Sequence, residues 1–299
     1  MKNRIYYSTL ILVWMMVGCY SEDELTPTEK PEAIYGKYTL PQGDHTYDPD
    51  ILKLYKKYNT LLLYKFEDKD FWWNVASDIR WTYDSVRIST SSGWEAAPAN
   101  ENYVGEQIEL LQGKFFNYFP DTLLMRTLPL KILMCDYVNY IPNLDRYPTD
   151  SDKKFYNAYW GYDYMAINWG NEKINTMTAE ERNLFKNDVC ALFLSKTANK
   201  KMDRATAFFD VSTYSSSGSS KPEDGFVESN IGTNLSDDWK SYISMIVSTP
   251  YNRLTASGGF LDESVDSNGK IRQKYDIMVK FFLNNYNVDL QAIGDDVEQ

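Results

Sequence analysis

The sequence has 299 residues, of which 43% are hydrophobic, and a formal net charge of −11 at pH 7. That hydrophobic fraction is enough to bury a core, and the length suits one large domain or two small ones. The acidic balance argues against nucleic acid as a partner, because nucleic-acid binding needs a basic surface. Apart from a lipid anchor, it also argues against binding to an anionic membrane surface.

The first 18 residues have the three parts of a secretory signal peptide. Lys2 and Arg4 supply positive charge, a nearly continuous apolar or aromatic stretch covers 5–17, and Gly18 precedes Cys19. The stretch is short for a membrane span, which needs roughly 20 residues. A small residue before a cysteine is typical of a lipoprotein signal, so we predict cleavage after residue 18 and lipidation of Cys19. The alternative is an ordinary signal peptide with an accidental cysteine.

Residues 19–33 are polar and contain Pro27 and Pro31, a composition that cannot bury a core. We predict that they form a lipidated flexible tether, followed by a single domain over 34–299. The tether begins with an acidic run at Glu22, Asp23 and Glu24.

The first half of the domain is predicted to mix helices with short buried strands. Asp48-Pro49 opens a helix, with the aspartate as N-cap and the proline at the first helical position. Apolar runs predict strands over 61–66, 81–88 and 130–134, with a loop over 89–100. Helical spacing of apolar residues predicts a helix over 103–119.

The second half is predicted to be mainly helical after a strand over 164–169. Thr178 and Glu181 form a capping box that starts a helix running to about residue 200, with an apolar stripe at 185, 189, 192 and 193. Ser236 is predicted to cap the next helix, and a final helix follows over 271–286. Strands mixed with helices in this way predict an α+β fold.

The chain contains one histidine, His45, in an early loop. A Ser-His-Asp triad would have to use it, and a zinc enzyme normally takes two or three histidines. We expect a solvated side chain there. Cys135 and Cys190 lie in apolar surroundings, which favours buried thiols, although an exported protein permits a disulfide between them.

Two further patterns have a functional and a structural interpretation. Residues 262–269 resemble half of a calcium loop, with Ser264, Asp266 and Asn268 at ligand positions, but Tyr275 stands where a bidentate glutamate is needed. We prefer an acidic turn before a helix. The aromatic clusters at 71–73 and 159–162 are suited to stacking on sugar rings, but packing is the commoner use of such residues.

Several segments, taken in order, resemble the substrate-import-associated zinc metallohydrolase lipoproteins, a family of zinc-binding metallopeptidases. The likeness covers most of the chain after the tether. The segments that carry it are 47–49, 63–66, 128–133, the helix 179–200, 225–227, 236–239 and 286–290. The resemblance implies a zincin-like metallopeptidase-type domain, α+β, with a mixed sheet and long helices.

The family carries His-Glu-x-x-His on its long helix, where two histidines one turn apart bind zinc and the glutamate activates water. The matching positions here hold Leu194, Ser195 and Ala198, and the position of the acidic third ligand holds Ser241. None of these is a normal zinc ligand, so we expect neither a catalytic nor a metal-binding residue among them, and no zinc cofactor. Residues 194 and 198 are expected to share a helix face beside the former zinc cleft.

The family's genes typically lie beside TonB-dependent transporters, and the acidic run after Cys19 resembles a surface-export signal. The resemblance therefore implies an outer-membrane, cell-surface protein held by its lipid anchor. Its function is expected to be that of a binding or accessory component beside a TonB-dependent transporter and its surface lipoprotein, with a glycan or peptide ligand. The alternatives are an active metal-dependent hydrolase with a non-standard site, and a structural partner of the transporter.

Overall fold

A computed structural model of the protein describes residues 38–72, 93–141, 152–198, 200–215, 220–229, 231 and 234–299. The predicted signal peptide, Cys19, the tether and the predicted strand over 81–88 lie outside the described residues. The chain from Pro41 to Gln299 forms one compact unit.

Three parallel strands form the centre of the sheet, with the longest of them in the middle. They are β1 (Leu61–Leu63), β3 (Lys131–Ile141) and β6 (Tyr164–Ile167). The first four residues of β3 pair with β6, and the first three also pair with β1. All three strands are rich in buried aliphatic residues, as is typical of strands covered on both faces.

Three antiparallel strands complete a mixed sheet. They are β2 (Gly93–Pro98) and β4 (Lys154–Phe155), which both pair with the second half of β3, and β5 (Ala158–Trp160), which pairs with β6. The mixed sheet and the helices around it confirm the predicted α+β fold.

The helices of the described residues pack around this sheet. They are α1 (Asp48–Tyr58), α2 (Asp68–Trp72), α3 (Val104–Lys114), α4 (Asp121–Thr127), α5 (Ala179–Thr197), α6 (Thr206–Phe209), α7 (Leu235–Ser248), α8 (Tyr251–Leu254), α9 (Lys270–Tyr286) and α10 (Leu290–Asp295). Short 3-10 helices lie at Glu101–Tyr103, Phe116–Tyr118, Glu172–Thr176 and Pro222–Asp224. The long helix α5 packs against α7 and β5. Within this part of the chain, no helix has the length and apolar composition of a membrane span.

Local capping chemistry decides where the helices begin and end. The predicted capping box is confirmed: Thr178 Oγ1 accepts from the backbone N–H of Glu181, and the Glu181 carboxylate accepts from the N–H of Thr178. The predicted cap at Ser236 is wrong, because Asn234 accepts from the N–H groups of Ser236 and Asp237.

Three further boundaries differ from the sequence prediction. Asp48 is the first residue of α1 rather than its N-cap, and its carboxylate accepts from the backbone N–H of His45 at 2.7 Å. The predicted helix over 103–119 ends as an α-helix at Lys114 and continues as a 3-10 turn. The segment predicted as a loop over 89–100 contains strand β2, which forms because it pairs antiparallel with the long strand β3.

Candidate functional site

An open cleft of about 930 Å³ lies beside the second half of β3 and the carboxyl end of β6. Crevices at the carboxyl ends of strands are where open α/β sheets commonly bind ligands. Leu184 and Lys153 contribute to the lining, together with four carboxylates, four amides and four aromatic residues. These are Glu95, Asp136, Glu172, Glu181, Asn100, Asn139, Asn157, Asn171, Tyr103, Tyr137, Phe155 and Trp169, and Lys173 also belongs to the lining.

The register of three strands places a polar row on one wall of the cleft. Asn139 of β3 is paired directly with Glu95 of β2 on one side and with Phe155 of β4 on the other. Directly paired residues project from the same face of a sheet, and so does a residue two positions along a strand, here Tyr137. The opposite face carries Trp94 packed against Tyr140 and Tyr156.

Hydrogen bonds hold the carboxylate of this row in one orientation. Glu95 Oε1 accepts from Asn139 Nδ2 at 2.9 Å and lies 2.9 Å from Lys153 Nζ. Charge-assisted hydrogen bonds of this kind restrict a side chain that would otherwise be mobile. Glu95 Oε2 and the carboxylate of Asp136 accept no hydrogen bond from the part of the chain that the structure describes.

The floor of the cleft is built from a strained turn after β6. Trp169 has a φ of 79°, in the left-handed region that a bulky side chain rarely occupies. Such a conformation costs about 1–3 kcal/mol and is characteristic of functional sites. The next residue must be glycine, because a Cβ on Gly170 would lie 2.8 Å from the carbonyl oxygen of Cys135.

A chain of hydrogen bonds locks the indole in that position. Trp169 Nε1 donates to Asn157 Oδ1 at 2.7 Å, and Asn157 Nδ2 donates to Asp188 of α5 at 2.7 Å. The Asp188 side chain is exposed, but desolvation by the surrounding protein raises its pKa, and the hydrogen bond from Asn157 opposes that rise. The side chain of Gln107 secures the same turn by donating to the carbonyl oxygens of Ile167 and Asn168.

Apolar side chains remain exposed above this rigid floor. Phe155 is 52% exposed and Leu184 is 53% exposed, while Tyr137 is 36% exposed. The Phe155 ring meets Trp169 nearly edge to face, with centroids 5.3 Å apart. Aromatic and aliphatic surface next to a few oriented polar groups is the usual composition of a ligand site.

The four positions matched to the family's zinc site do not lie in this cleft. Leu194 is 0% exposed, and Ser241 is buried with its hydroxyl donating to the carbonyl oxygen of Asp238. Helix α5 ends at Thr197, so Ala198 is outside it, with an extended ψ of 135°. Ala198 is the C-cap of the helix, and its N–H still donates to the carbonyl oxygen of Leu194, so the two residues do lie one turn apart. Leu194 is packed in the core, however, and neither residue lines the cleft, so their expected place beside the cleft is wrong. The apolar stripe also differs in one place, since Leu192 is half-buried.

These residues do not fit a zinc ion. Leu194 and Ala198 have no donor atom, and Ser195 and Ser241 offer hydroxyls, which are not normal zinc ligands. In the described ranges, no group of three or more histidine, cysteine or acidic residues is placed to hold a metal ion. No chemical step is therefore assigned to zinc here.

His45 is engaged rather than solvated, which corrects the expectation from sequence. Its Nδ1 lies 3.1 Å from Asp48 Oδ2, its Nε2 lies 3.1 Å from Glu101 Oε2, and its ring stacks on Tyr47. These contacts tie the start of α1 to the 3-10 turn Glu101–Tyr103. His45 is absent from the cleft lining, so its role in the structure is to join two elements.

The remaining sequence patterns are structural in this fold. Cys135 and Cys190 are free and buried, which confirms the prediction of buried thiols. Asp266 of the half calcium loop accepts from the backbone N–H groups of Ile271 and Arg272, so it caps α9 as an acidic turn. Of the aromatic clusters, Phe71 packs against Tyr159 and Tyr164, while Trp73 lies outside the described residues.

Sequence reasoning missed the polar row. Glu95 lies in a segment rich in glycine, alanine and proline, which has weak strand propensity. The second half of β3 gave no clearer indication, because buried Cys135, Val138 and Ile141 recur every third position rather than every second.

No family model matches this sequence, and no curated protein matches it. Among solved structures, the fold is similar to that of a putative zinc-binding metallo-peptidase from Bacteroides caccae, with a TM-score of 0.50. The two sequences are 13% identical, and the match covers 83% of this chain and 88% of the other. At this identity the likeness establishes a shared fold.

Proposed function

We propose that this protein is a lipid-anchored component of the outer membrane that binds a nutrient-derived ligand in the cleft beside β3. It has the fold of a zinc-binding metallopeptidase but acts as a binding or accessory protein beside a TonB-dependent transporter. The N-terminal lipoprotein signal and the acidic run that follows Cys19 support the location. The family resemblance supports the transporter as a partner.

The observation that carries the binding function is the chemistry of the cleft. It combines exposed Phe155 and Tyr137 with an oriented carboxylate at Glu95, on a floor that strain and hydrogen bonds hold rigid at Trp169. Preorganised polar groups beside apolar surface are suited to binding, because little conformational freedom is lost when the ligand arrives. The positions matched to the zinc site, by contrast, are apolar or serine side chains, half to fully buried.

Anchoring is tested by Cys19→Ser, with Ser21→Ala as the matched control near the same site. We expect the cysteine variant to lose incorporation of labelled palmitate and to leave the membrane fraction, because the thiol is the point of attachment. The control should behave as the wild-type protein does. Equal palmitate incorporation in Cys19→Ser and wild type contradicts the lipoprotein assignment.

Binding without zinc hydrolysis is tested on the detergent-purified full chain. Elemental analysis should find no stoichiometric zinc, and the chain should cleave no peptide, because the matched positions supply no strong donor. About one tightly bound zinc per chain, with peptide cleavage, refutes the proposal in favour of an active hydrolase. If the transporter co-purifies with this protein but the protein binds no ligand, the protein is a structural partner of the transporter instead.

A further inference from the structure

The row across β2, β3 and β4, together with Asp136 at the register shift of β3, presents hydrogen-bond acceptors without matching donors. Glu95 Oε2, Asn139 Oδ1 and the carboxylate of Asp136 receive no hydrogen bond from residues that the structure describes. All three side chains are half-buried at the cleft wall. A ligand that satisfies them must bring several hydrogen-bond donors along one edge.

The charge of the cleft selects against anions. The lining contains four carboxylates and two ammonium groups, and one of the latter, Lys153, is already paired with Glu95. The whole chain carries a net charge of −11, so its field also repels anionic ligands. A neutral polyol donates O–H groups to these acceptors, and because it carries no charge it is not repelled by the negative field.

The apolar part of the cleft provides a platform for a ring. Phe155 lies directly across the ladder from Asn139, and its ring is supported by Trp169 on the floor. From Glu95 to Phe155 the row spans two strand spacings, roughly 10 Å, which is about the length of two linked sugar rings. The cleft volume of about 930 Å³ is at the upper end for small-ligand sites.

We propose that the cleft binds a short neutral oligosaccharide, with one sugar ring packed on Phe155 and hydroxyl groups donated to Glu95 and Asp136. This assignment rests on the proposed binding function and adds the class of ligand. Aromatic side chains suit this use because a ring presents flat apolar surface at low entropic cost, while the carboxylates fix the hydroxyl pattern. A cationic peptide is the rival that an acidic cleft also admits.

The test measures dissociation constants of the detergent-purified full chain by titration calorimetry. The probes are neutral gluco-, xylo- and manno-oligosaccharides, a sulfated oligosaccharide, and a lysine-rich peptide. At least one neutral oligosaccharide should bind, with an affinity that changes less than about twofold between low and high salt, because no charge is neutralised. The sulfated oligosaccharide should bind more weakly.

Matched variants assign the binding to the cleft. Phe155→Ala should weaken binding about tenfold, and Glu95→Gln and Asp136→Asn should each weaken it severalfold. Tyr162→Ala is the control, since Tyr162 is 60% exposed and is absent from the cleft lining. It should leave the affinity within about twofold. Thermal melts of each variant establish that it is folded.

The outcomes separate the ligand class from the binding function. If the peptide or the sulfated oligosaccharide binds more tightly and Phe155→Ala weakens that binding, the cleft is a binding site but the neutral glycan is refuted. If a neutral oligosaccharide binds equally well to Phe155→Ala and wild type, the assignment to this cleft is refuted. If no probe binds and no transporter co-purifies, the binding function itself fails.

Discussion

Leu194→Ala tests whether position 194 belongs to the packed core or to the face of a former zinc cleft. The side chain is 0% exposed on helix α5. The substitution removes three carbon groups, worth about 0.8 kcal/mol each on transfer from water, or roughly 2.4 kcal/mol. The cavity left behind adds to this, so we expect a loss of about 3–4 kcal/mol in the free energy of unfolding.

The helix offers a matched control in Leu184→Ala. Leu184 is 53% exposed on the same helix, so the same substitution removes far less buried surface and should cost under about 1 kcal/mol. Both variants are measured by urea unfolding of the full chain, followed by tryptophan fluorescence, with the m-value checked for two-state behaviour. Similar costs for the two variants refute the packed-core position of Leu194.

The same reasoning predicts the result of rebuilding the zinc motif. Histidine at 194 and 198, with glutamate at 195 and 241, should destabilise the protein without creating a zinc site. The reason is that the side chain at 194 is fully packed in the core, so an imidazole there has no open space in which to bind a metal ion. The measurement is the melting temperature at increasing zinc concentration. A melting temperature that rises with zinc shows a site that binds metal in the folded state and overturns this prediction.

Two further predictions concern a buried ion pair and an exposed carboxylate whose pKa is raised. Lys274→Met should lower the free energy of unfolding in urea by about 3–5 kcal/mol, because it leaves Asp238 buried without its counter-ion 2.7 Å away. Adding Asp238→Asn should recover part of that loss. A double variant that is destabilised by the sum of the two single variants contradicts the pairing. Asp188→Asn should gain stability relative to wild type as pH rises from 4 to 8. Although the Asp188 side chain is exposed, desolvation by the surrounding protein raises its folded-state pKa above the unfolded value. The stability that the protonated carboxyl contributes is therefore complete below about pH 4 and is lost as pH rises through the raised pKa. Urea midpoints of both proteins across this range should diverge with pH, and a constant difference refutes the argument.

The elements that sequence predicted correctly are those whose cause is local. The capping box at Thr178 and Glu181 needs residues three apart, and its hydrogen bonds form within one helical turn. The buried strands over 61–63, 132–134 and 164–167 are continuous runs of apolar and aromatic residues that are driven out of water wherever they pair. The apolar surroundings of Cys135 and Cys190 likewise predicted buried free thiols.

The elements that sequence could not predict depend on partners far away in the chain. Glu95, Asn139 and Phe155 form one row only because β3 pairs with β2 and β4 in a given register, and a shift of one residue would turn the row to the other face. The left-handed conformation of Trp169 exists because Asn157 and Asp188 hold its indole, and no local propensity favours it. The single histidine was expected to be solvated, yet Glu101, more than fifty positions away, meets it in the fold. Hydrophobic periodicity and capping therefore determined the α+β class, whereas the cleft was decided by strand register and long-range hydrogen bonds, which arise only when distant segments pack together.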